Sequence, residues 1–202
     1  MKDADGMSSE LRISGLVLAA GSGERFGGPK QLAEFDGEPL VLRAARQLLY
    51  LAAIQKVAVT VGAQADAVES ALAETEVELI PVAGWEEGMA ASLRAGIAAL
   101  RDSSDAVVVT LADQPLVTTD MVAAVLDAWD GEASAVRAVH DGIPGHPVLI
   151  GSRLFDSVDG LSGDVGAKAL LGTDTLSVEC GRGSILDADT PQQLDDLLGS
   201  TG

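Results

Sequence analysis

The stretch ISGLVLAAGSGERFGGPKQ, residues 13–31, decides the fold. Its first part, residues 13–20, is apolar and predicts a buried β-strand. The strand runs directly into a loop with four glycines, which let the backbone turn sharply and bring its N–H groups close to an anion. Two cations, Arg25 and Lys30, lie on the same loop. The stretch therefore predicts a central strand that ends in an anion-binding loop.

This loop fits neither of the two common phosphate-binding patterns. A dinucleotide-binding fingerprint requires G-x-G-x-x-G, whereas the spacing of Gly21, Gly23 and Gly27 is one residue longer. A P-loop requires G-K-[ST], whereas Lys30 follows a proline and precedes a glutamine. The sequence thus supports neither hydride transfer on a dinucleotide-binding fold nor ATP hydrolysis by a P-loop. A plain surface turn with solvated basic residues remains the alternative to an anion site.

A second motif follows the apolar run at 106–111, which is the most strand-like segment of the chain. It reads TLADQPL at residues 110–116, and its aspartate, Asp113, is an unusual choice for packing at the end of a buried strand. A carboxylate is a hard oxygen ligand of the kind that Mg²⁺ prefers. The alternative is an aspartate that caps a turn. Together the two motifs predict a site for a magnesium–nucleoside triphosphate, where cations and metal neutralise phosphate charge.

Strands and helices alternate along the chain. This order predicts an α/β fold with three layers, Rossmann-like, in which a mostly parallel sheet carries helices on both faces. Ligands of such sheets lie outside the carboxyl ends of the strands, which here points to residues 20–30 and 112–116. The loop DGIPGH, residues 141–146, is predicted to separate two short strands, and Cys180 is predicted to be an inert buried thiol on a strand. Predicted strands cover 13–20, 56–61, 77–82, 106–111, 134–139 and 147–150, with two more near Leu176 and Ile185; predicted helices cover 39–52, 66–74, 89–100 and 118–129, with others near Arg153, near Ala167 and from Pro191 onward.

Composition limits the classes of function. The chain has 202 residues, 47% of them hydrophobic, and 13 Lys+Arg against 31 Asp+Glu give a formal net charge of −18. Such a surface repels nucleic acids and anionic membranes. The one cysteine excludes an intramolecular disulfide, and the polar first ten residues carry no apolar signal region. These features predict a cytoplasmic protein with a flexible segment at residues 1–10 and one domain at 11–202.

The motifs together resemble the MobA-like nucleotidyltransferases, and most closely the branch that transfers CMP to the molybdenum cofactor. The stretch LAAGSGERFGGPK is similar to that family's L-A-A-G-x-S-x-R-x-G-x-x-K signature, although Ser22-Gly23 departs from its x-S order and weakens a role for a hydroxyl group there. The resemblance covers about residues 13–198. The other matching stretches follow in the family's order: GMAASLRAG (88–96), LADQP (111–115), GHPV (145–148), LSGDVGA (161–167) and DADTP (187–191).

The resemblance implies a role for each matching residue. Arg25 and Lys30 would act on the phosphates as catalytic cations. Asp113 would bind Mg²⁺, with Asp189 as a second ligand for which Asp187 is an alternative. His146 and Asp164 would line the pterin side, although a turn residue and a helix cap remain alternatives for them. The residues implied to bind the nucleotide are Leu18, Ala19, Ala20, Gly21 and Ser92.

The function implied by this resemblance is transfer of CMP from CTP to the phosphate of molybdenum-bearing molybdopterin, with release of pyrophosphate. A molybdoenzyme or a maturation protein would be the partner that receives the product. Three alternatives stay open: methylerythritol-phosphate cytidylyltransferase or another cytidylyl- or guanylyltransferase, an oxidoreductase of the same fold, and a carrier without catalytic activity. Trp85 and Trp129 are expected to be packing residues rather than platforms for a base.

Overall fold

A seven-stranded sheet forms the centre of the computed structural model, which describes residues 11–199. A separate two-stranded hairpin precedes the first helix. The strands are β1 (Ile13–Leu18), β2 (Glu34–Phe35), β3 (Glu38–Pro39), β4 (Ile54–Val61), β5 (Glu78–Pro81), β6 (Ala106–Leu111), β7 (Ala135–His140), β8 (Ile143–Gly151) and β9 (Thr175–Glu179). The helices are α1 (Leu40–Leu49), α2 (Ala65–Leu72), α3 (Met89–Leu100), α4 (Thr119–Asp127), α5 (Phe155–Val158) and α6 (Pro191–Gly199).

The order of strands in the large sheet is β5-β4-β1-β6-β8-β7-β9. Strand β1 pairs in parallel with β4 on one side and with β6 on the other, and β8 alone runs against the other strands. The carboxyl ends of β1 and β6 therefore meet at one edge of the sheet. This arrangement confirms the predicted mostly parallel α/β fold, and it brings the loops after β1 and β6 side by side.

Both faces of the sheet are covered by helices. Successive side chains of a strand point to opposite faces, so Val17 of β1 packs in the cluster that holds α1, α2 and α4, whereas Leu16 packs in the cluster that holds α3 and α5. Helix α3 comes so close that a Cβ on Gly96 would lie 2.4 Å from a methyl carbon of Leu16. Because both faces of the sheet are covered, its central strands are apolar on both sides, as is typical of a three-layer fold.

The segment predicted as a loop at 141–146 is mostly strand, and that prediction is wrong. The turn consists of Asp141 and Gly142 alone, both with positive φ (49° and 77°), and β8 begins directly after them. Turns of this kind match the twist of a hairpin. The glycine inside β8, Gly145, marks a close approach of two backbones, because a Cβ there would lie 2.0 Å from the carbonyl oxygen of Ser184.

Three smaller predictions also differ from the structure. Ile185 ends a 3₁₀ turn (Arg182–Ile185) rather than lying on a strand. Helix α4 ends at Asp127, so Trp129 lies just beyond it. Cys180 follows β9 and is partly exposed, so it is not a buried strand residue. Trp129 and Cys180 both pack in or against the core cluster that holds α1, α2 and α4, a tertiary contact that local sequence patterns do not report.

Residues 1–10 and 200–202 lie outside the described part of the chain, and so does the prediction of a flexible segment at residues 1–10. The extent of the single domain, 11–202, stays a prediction. Within residues 11–199, no helix has the length and apolar character that crossing a bilayer requires.

Candidate active site

A cleft of about 560 Å³ opens at the carboxyl edge of the sheet, between the loop that follows β1 and the loop that follows β6. The amino-terminal end of α3 and the segment 161–166 contribute further walls. Ten of the residues that the sequence singled out line this cleft, and His146 alone of that set does not: the ten are Leu18, Ala19, Ala20, Gly21, Arg25, Lys30, Ser92, Asp113, Asp164 and Asp189.

The glycine loop folds back on itself. Gly23 has a φ of 71°, and a Cβ there would lie 2.1 Å from the carbonyl oxygen of Gly28, so only glycine fits this turn. The side chain of Gln31 stabilises the loop, because its Nε2 donates a hydrogen bond to the carbonyl oxygen of Gly21 at 3.1 Å. The turn and this hydrogen bond place Arg25 and Lys30 on the wall of the cleft.

A threonine on β4 supports the end of β1. The buried Thr60 accepts a hydrogen bond at its Oγ1 from the N–H of Ala19 (3.1 Å) and donates to the carbonyl oxygen of Val17 (3.3 Å). These bonds satisfy backbone groups where the strand gives way to the loop. The sequence signal for Thr60 is weak, a single hydroxyl in the otherwise apolar run VAVTV at 57–61, and its role was not predicted.

The two cations of the loop are bound by carboxylates. Lys30 Nζ lies 2.6 Å from Asp113 Oδ2 and 2.9 Å from Asp189 Oδ1, and Arg25 Nη1 lies 3.2 Å from Asp189 Oδ2. Burial by itself lowers the pKa of Lys30, but the charges and hydrogen bonds of Asp113 and Asp189 outweigh it and raise the pKa above the usual value. The hydrogen bond from Lys30 lowers the pKa of Asp189 in turn. Lys30 and Asp189 are therefore both charged at neutral pH.

The carboxylate of Asp113 has the properties expected of a metal ligand. Its Oδ1 is buried without a hydrogen-bond partner in the structure, whereas Oδ2 binds Lys30. A buried unpaired oxygen of this kind is costly unless a cation or water satisfies it. Within residues 11–199 no three His, Cys, Asp or Glu side chains are grouped to hold a metal, so further ligands would come from phosphate oxygens and water.

Asp187 and Asp189 differ in their surroundings. Asp189 shares the ammonium of Lys30 with Asp113. Asp187 instead accepts a hydrogen bond from Gln114 Nε2 at 2.7 Å, and burial raises its pKa. Both carboxylates line the cleft. Because Asp113 and Asp189 both contact the ammonium of Lys30, their carboxylates lie close together. This favours Asp189 over Asp187 as the second metal ligand.

Asp164 and His146 are the remaining residues predicted from the sequence, and of these two Asp164 lines the cleft and His146 does not. Asp164 lines the cleft in a loop and caps no helix, since the next 3₁₀ turn begins at Ala167. His146 lies on β8 and is half-buried, in the irregular part of the strand where the register with β7 shifts. Burial lowers its pKa to about 4, against the opposing charge of Asp113, so the imidazole is neutral at physiological pH. His146 is thus a strand residue rather than a turn residue.

The two tryptophans have different environments. Trp129 is buried in the core, as expected of a packing residue. Trp85 packs beside Ala20, Val82 and Ala91, but it also lines the cleft. Sequence reasoning did not place Trp85 on the site. It also missed the other cleft residues of that wall, Glu86, Gly88 and Met89.

The fold and this site define a nucleotidyltransferase. The family model of the MobA-like NTP transferase domain matches residues 15–178, and the chain belongs to that family. Two structures of Rv0371c from Mycobacterium tuberculosis H37Rv are similar over almost their whole length. One is 29% identical with a TM-score of 0.81 and covers 95% of this chain and 99% of that one. The other, a complex with manganese, is 26% identical with a TM-score of 0.79 and covers 94% and 99%.

Three curated proteins show the range of relatives. The bifunctional enzyme IspD/IspF of Clavibacter michiganensis subsp. michiganensis is 36% identical over 84% of this chain, which spans 42% of that longer protein. Nicotine blue oxidoreductase of Paenarthrobacter nicotinovorans is 32% identical over 92% of this chain and 96% of its own length. Molybdenum cofactor cytidylyltransferase of Escherichia coli K12 is 24% identical over 89% of this chain and 92% of its own length.

The position of Lys30 between two carboxylates yields a prediction. We expect Lys30→Ala to lower kcat about 100- to 1,000-fold, because a charged donor to the reacting phosphates is lost. The same variant should bind Mn²⁺ more tightly in the absence of nucleotide, since Asp113 and Asp189 lose their competing cation. Steady-state kinetics and Mn²⁺ titration measure the two effects. Lys56→Ala, which removes a surface pair with Glu78, is the control; unchanged Mn²⁺ affinity in Lys30→Ala would contradict the competition.

The lowered pKa of His146 predicts a pH dependence of stability. The pKa is about 4 in the folded protein and about 6.5 in the unfolded chain, so the unfolded chain binds the extra proton first as the pH falls. The contribution is present above pH 6.5 and is lost toward pH 4. Between pH 7 and pH 5 the free energy of unfolding should fall by about 1–2 kcal/mol more in the wild type than in His146→Gln.

Urea unfolding at the two pH values measures this difference. His140→Gln is the control, because it changes the surface histidine and leaves His146 in place. Equal losses in the wild type and in His146→Gln would show that His146 is not held neutral by burial.

Proposed function

We propose that this protein transfers CMP from CTP to the terminal phosphate of molybdenum-bearing molybdopterin and releases pyrophosphate, and that it does so in the cytoplasm. The observation that carries the proposal is the group formed by Lys30, Asp113 and Asp189 at the joined ends of β1 and β6. It combines a cation for phosphate oxygens with an unpaired carboxylate oxygen for a metal. A molybdoenzyme or maturation protein would receive the product.

The glycine loop would hold the triphosphate. Backbone N–H groups at Ala20 and Gly21 line the cleft beside Arg25 and Lys30. In the structure both cations are bound by carboxylates, so a triphosphate must compete with Asp113 and Asp189 for them. Arg25 is the more exposed cation, with 78% of its side chain accessible against 19% for Lys30. This difference makes Arg25 the group that can reach an arriving phosphate first, and Lys30 the group that stays next to the reacting centre.

The donor set fits Mg²⁺, with Asp113 and Asp189 as protein ligands and Asp187 as the alternative to Asp189. Bound there, Mg²⁺ would neutralise charge on the triphosphate as the bond to pyrophosphate breaks. The manganese complex of Rv0371c supports a divalent ion in this fold. A metal would also take over the role that Lys30 has between the carboxylates, which frees the ammonium for phosphate oxygens.

The chemical step needs positioning more than proton transfer. An oxygen of the acceptor phosphate attacks the α-phosphorus of CTP, a new P–O bond forms, and the bond to the β-phosphate oxygen breaks. The acceptor oxygen is already ionised, so no general base is required. Lys30 and Arg25 stabilise charge on the phosphoryl oxygens, and the loop aligns the attacking and leaving oxygens.

The acceptor wall supports a substrate that carries N–H donors. In the described part of the chain, Arg25 and Lys30 are the basic residues that line the cleft, and both lie on the triphosphate loop. The opposite wall instead presents the carboxylates of Glu86 and Asp164. Carboxylates accept hydrogen bonds from amine and amide N–H groups, which a pterin offers. Asp164 is therefore the residue we assign to the pterin, whereas His146, which the resemblance also assigns there, lies on β8 outside the lining of the cleft.

Two relatives define the competing functions. The IspD/IspF similarity favours a cytidylyltransferase that acts on a different phosphorylated acceptor. The similarity to nicotine blue oxidoreductase over nearly the whole chain favours an oxidoreductase. The first glycine loop has no dinucleotide-binding fingerprint, and the charged group of Lys30, Asp113 and Asp189 suits phosphate chemistry better than hydride transfer. We therefore place nucleotidyl transfer to the pterin first.

Pyrophosphate release tests the function directly. We expect release from CTP in the presence of Mg²⁺ and molybdenum-loaded molybdopterin, and little without the pterin. Asp113→Asn should lower the rate about 100-fold or more with almost no change in Tm, because it removes a charged ligand and keeps the shape. Asp66→Asn, an exposed change of equal charge on α2, is the control. Release with methylerythritol phosphate instead, or NADPH oxidation with nicotine blue, would replace the proposal by one of its competitors.

The choice of base gives a second test. Ala20 is 2% exposed, and its methyl group belongs to a small cluster with Val82 and Ala91 on the cleft wall. We expect this methyl group to leave less space for a base than a glycine would, so CTP should be preferred to GTP by about 10- to 200-fold. Initial rates should show that Ala20→Gly lowers this preference. Ala58→Gly, which removes a buried methyl group from β4 away from the cleft, should not. A wild-type preference for GTP would contradict the cytidylyltransferase assignment.

A further inference from the structure

The side chain of Arg94 joins two walls of the cleft without lining it. Arg94 lies on α3, and its guanidinium binds both carboxylate oxygens of Glu87: Nη1 donates to Oε1 at 3.0 Å and Nη2 to Oε2 at 2.7 Å. Nη1 also donates to the carbonyl oxygen of Leu161. Glu87 belongs to the 3₁₀ turn Trp85–Glu87, whereas Leu161 begins the segment 161–166 that carries Asp164.

These two segments are in contact along their length. Ala90 N–H donates to the carbonyl oxygen of Gly163 at 3.1 Å, and a Cβ on Gly88 would lie 2.8 Å from that same oxygen. The backbone N–H of Gly163 also faces the carboxylate of Glu87 and helps to lower its pKa. Arg94 thus completes a network in which the turn before α3 and the segment 161–166 share hydrogen bonds.

The segment 161–166 depends on this network more than the turn does. The turn has its own supports, because Glu87 N–H donates to the carbonyl oxygen of Gly84 and the ring of Trp85 packs over Gly62. Segment 161–166 has no regular secondary structure, and Asp164 is exposed. Leu161 anchors the start of the segment, because its N–H donates to the carbonyl oxygen of Val158 at 3.0 Å and its side chain packs against the core. Beyond Leu161, the contacts with Glu87, Ala90 and Arg94 connect the segment to the turn before α3.

Charge gives Arg94 a second role in the same place. The two joined segments bring Glu86, Glu87 and Asp164 to one side of the cleft. Like charges repel, and the guanidinium offsets this repulsion at Glu87, whose pKa the hydrogen bond from Arg94 lowers. A planar guanidinium can bind a carboxylate with two parallel bonds and still reach a carbonyl, which an ammonium cannot do in one position.

We propose that Arg94 is a positioning residue for the acceptor: by tying segment 161–166 to the turn Trp85–Glu87, it places Asp164 on the acceptor wall. This assignment rests on the proposed function in giving Asp164 to the acceptor. The assignment gives different roles to two residues of the GMAASLRAG motif (88–96). Ser92 lines the cleft, where we assign it to the nucleotide, whereas Arg94 acts on the acceptor side through other residues.

Hydrogen exchange and kinetics test the proposal together. In Arg94→Met, amides of residues 161–166 should exchange faster, and kcat/KM for molybdenum-loaded molybdopterin should fall about 10- to 100-fold through misplacement of the wall. The Kd of CTP, measured with Mg²⁺ and without acceptor, should stay within about threefold of the wild type, because Ala20, Lys30 and Asp113 keep their contacts. Arg94→Lys should recover part of the loss, since it keeps the charge but not the double hydrogen bond.

Arg101→Met is the matched control. Arg101 lies seven residues further along the chain, directly after α3, and binds Asp156 (2.7 Å) and Asp159 (3.2 Å). It therefore ties the end of α3 to α5 but contacts no cleft residue. It should leave exchange in 161–166 and the acceptor kinetics unchanged. Glu87→Gln, which weakens the same tie from the other side, should reproduce the faster exchange if Arg94→Met does not fold.

Two results would overturn the assignment: unchanged exchange in 161–166 when Arg94 or Glu87 is altered, or the same changes in Arg101→Met. The exchange and CTP-binding measurements need no turnover. If the wild type transfers no CMP to the pterin, the proposed function fails, while faster exchange with unchanged CTP binding still supports the structural tie.

Discussion

The parallel pairing of β1 with β6 is the constraint on which the site depends. The two strands pair without a shift from Ile13 opposite Ala106 to Leu18 opposite Leu111, so they end level with each other. The loop after each strand therefore starts at the same edge of the sheet. This is how Lys30 and Asp113, 83 residues apart in the chain, come within 2.6 Å. Helices bury both faces of the pair, so a slip of register would turn apolar side chains toward polar surroundings and is strongly disfavoured.

The cleft is acidic, and its few cations are already engaged. Six carboxylates line it, from Glu24, Glu86, Asp113, Asp164, Asp187 and Asp189, against the two cations Arg25 and Lys30. A triphosphate entering such a site needs positive charge beyond these two side chains, and a divalent ion would supply it. The pairing of Lys30 with Asp113 and Asp189 keeps the two carboxylates close together, and the hydrogen bond from Lys30 lowers the pKa of Asp189. The same residues can thus serve phosphate and metal without a large rearrangement of the backbone.

The part of the cleft beyond the phosphates is where relatives of this fold can differ. The chain is similar both to a protein named as a cytidylyltransferase and to one named as an oxidoreductase. A shared fold does not by itself determine the reaction, because function depends on the side chains placed at the site. In this protein the wall opposite the glycine loop is built from the turn before α3 and segment 161–166, which Glu87 and Arg94 hold together. Among the described residues, this wall carries carboxylates and no basic side chain. It therefore favours an acceptor substrate that has several N–H donors.

The sequence by itself determined the layered α/β fold and the two loops of the site, because buried strands and glycine turns leave strong local patterns. Gly23 and Asp113 stood out for that reason. Tertiary structure decided the rest. The strand through 143–146 contradicts its turn-rich sequence, since pairing with β7 and the close approach to Ser184 outweigh local preference. Likewise, no local pattern shows that Thr60 supports the glycine loop, or that Arg94 reaches Leu161, because each contact joins segments distant in the chain and exists only after the sheet has assembled.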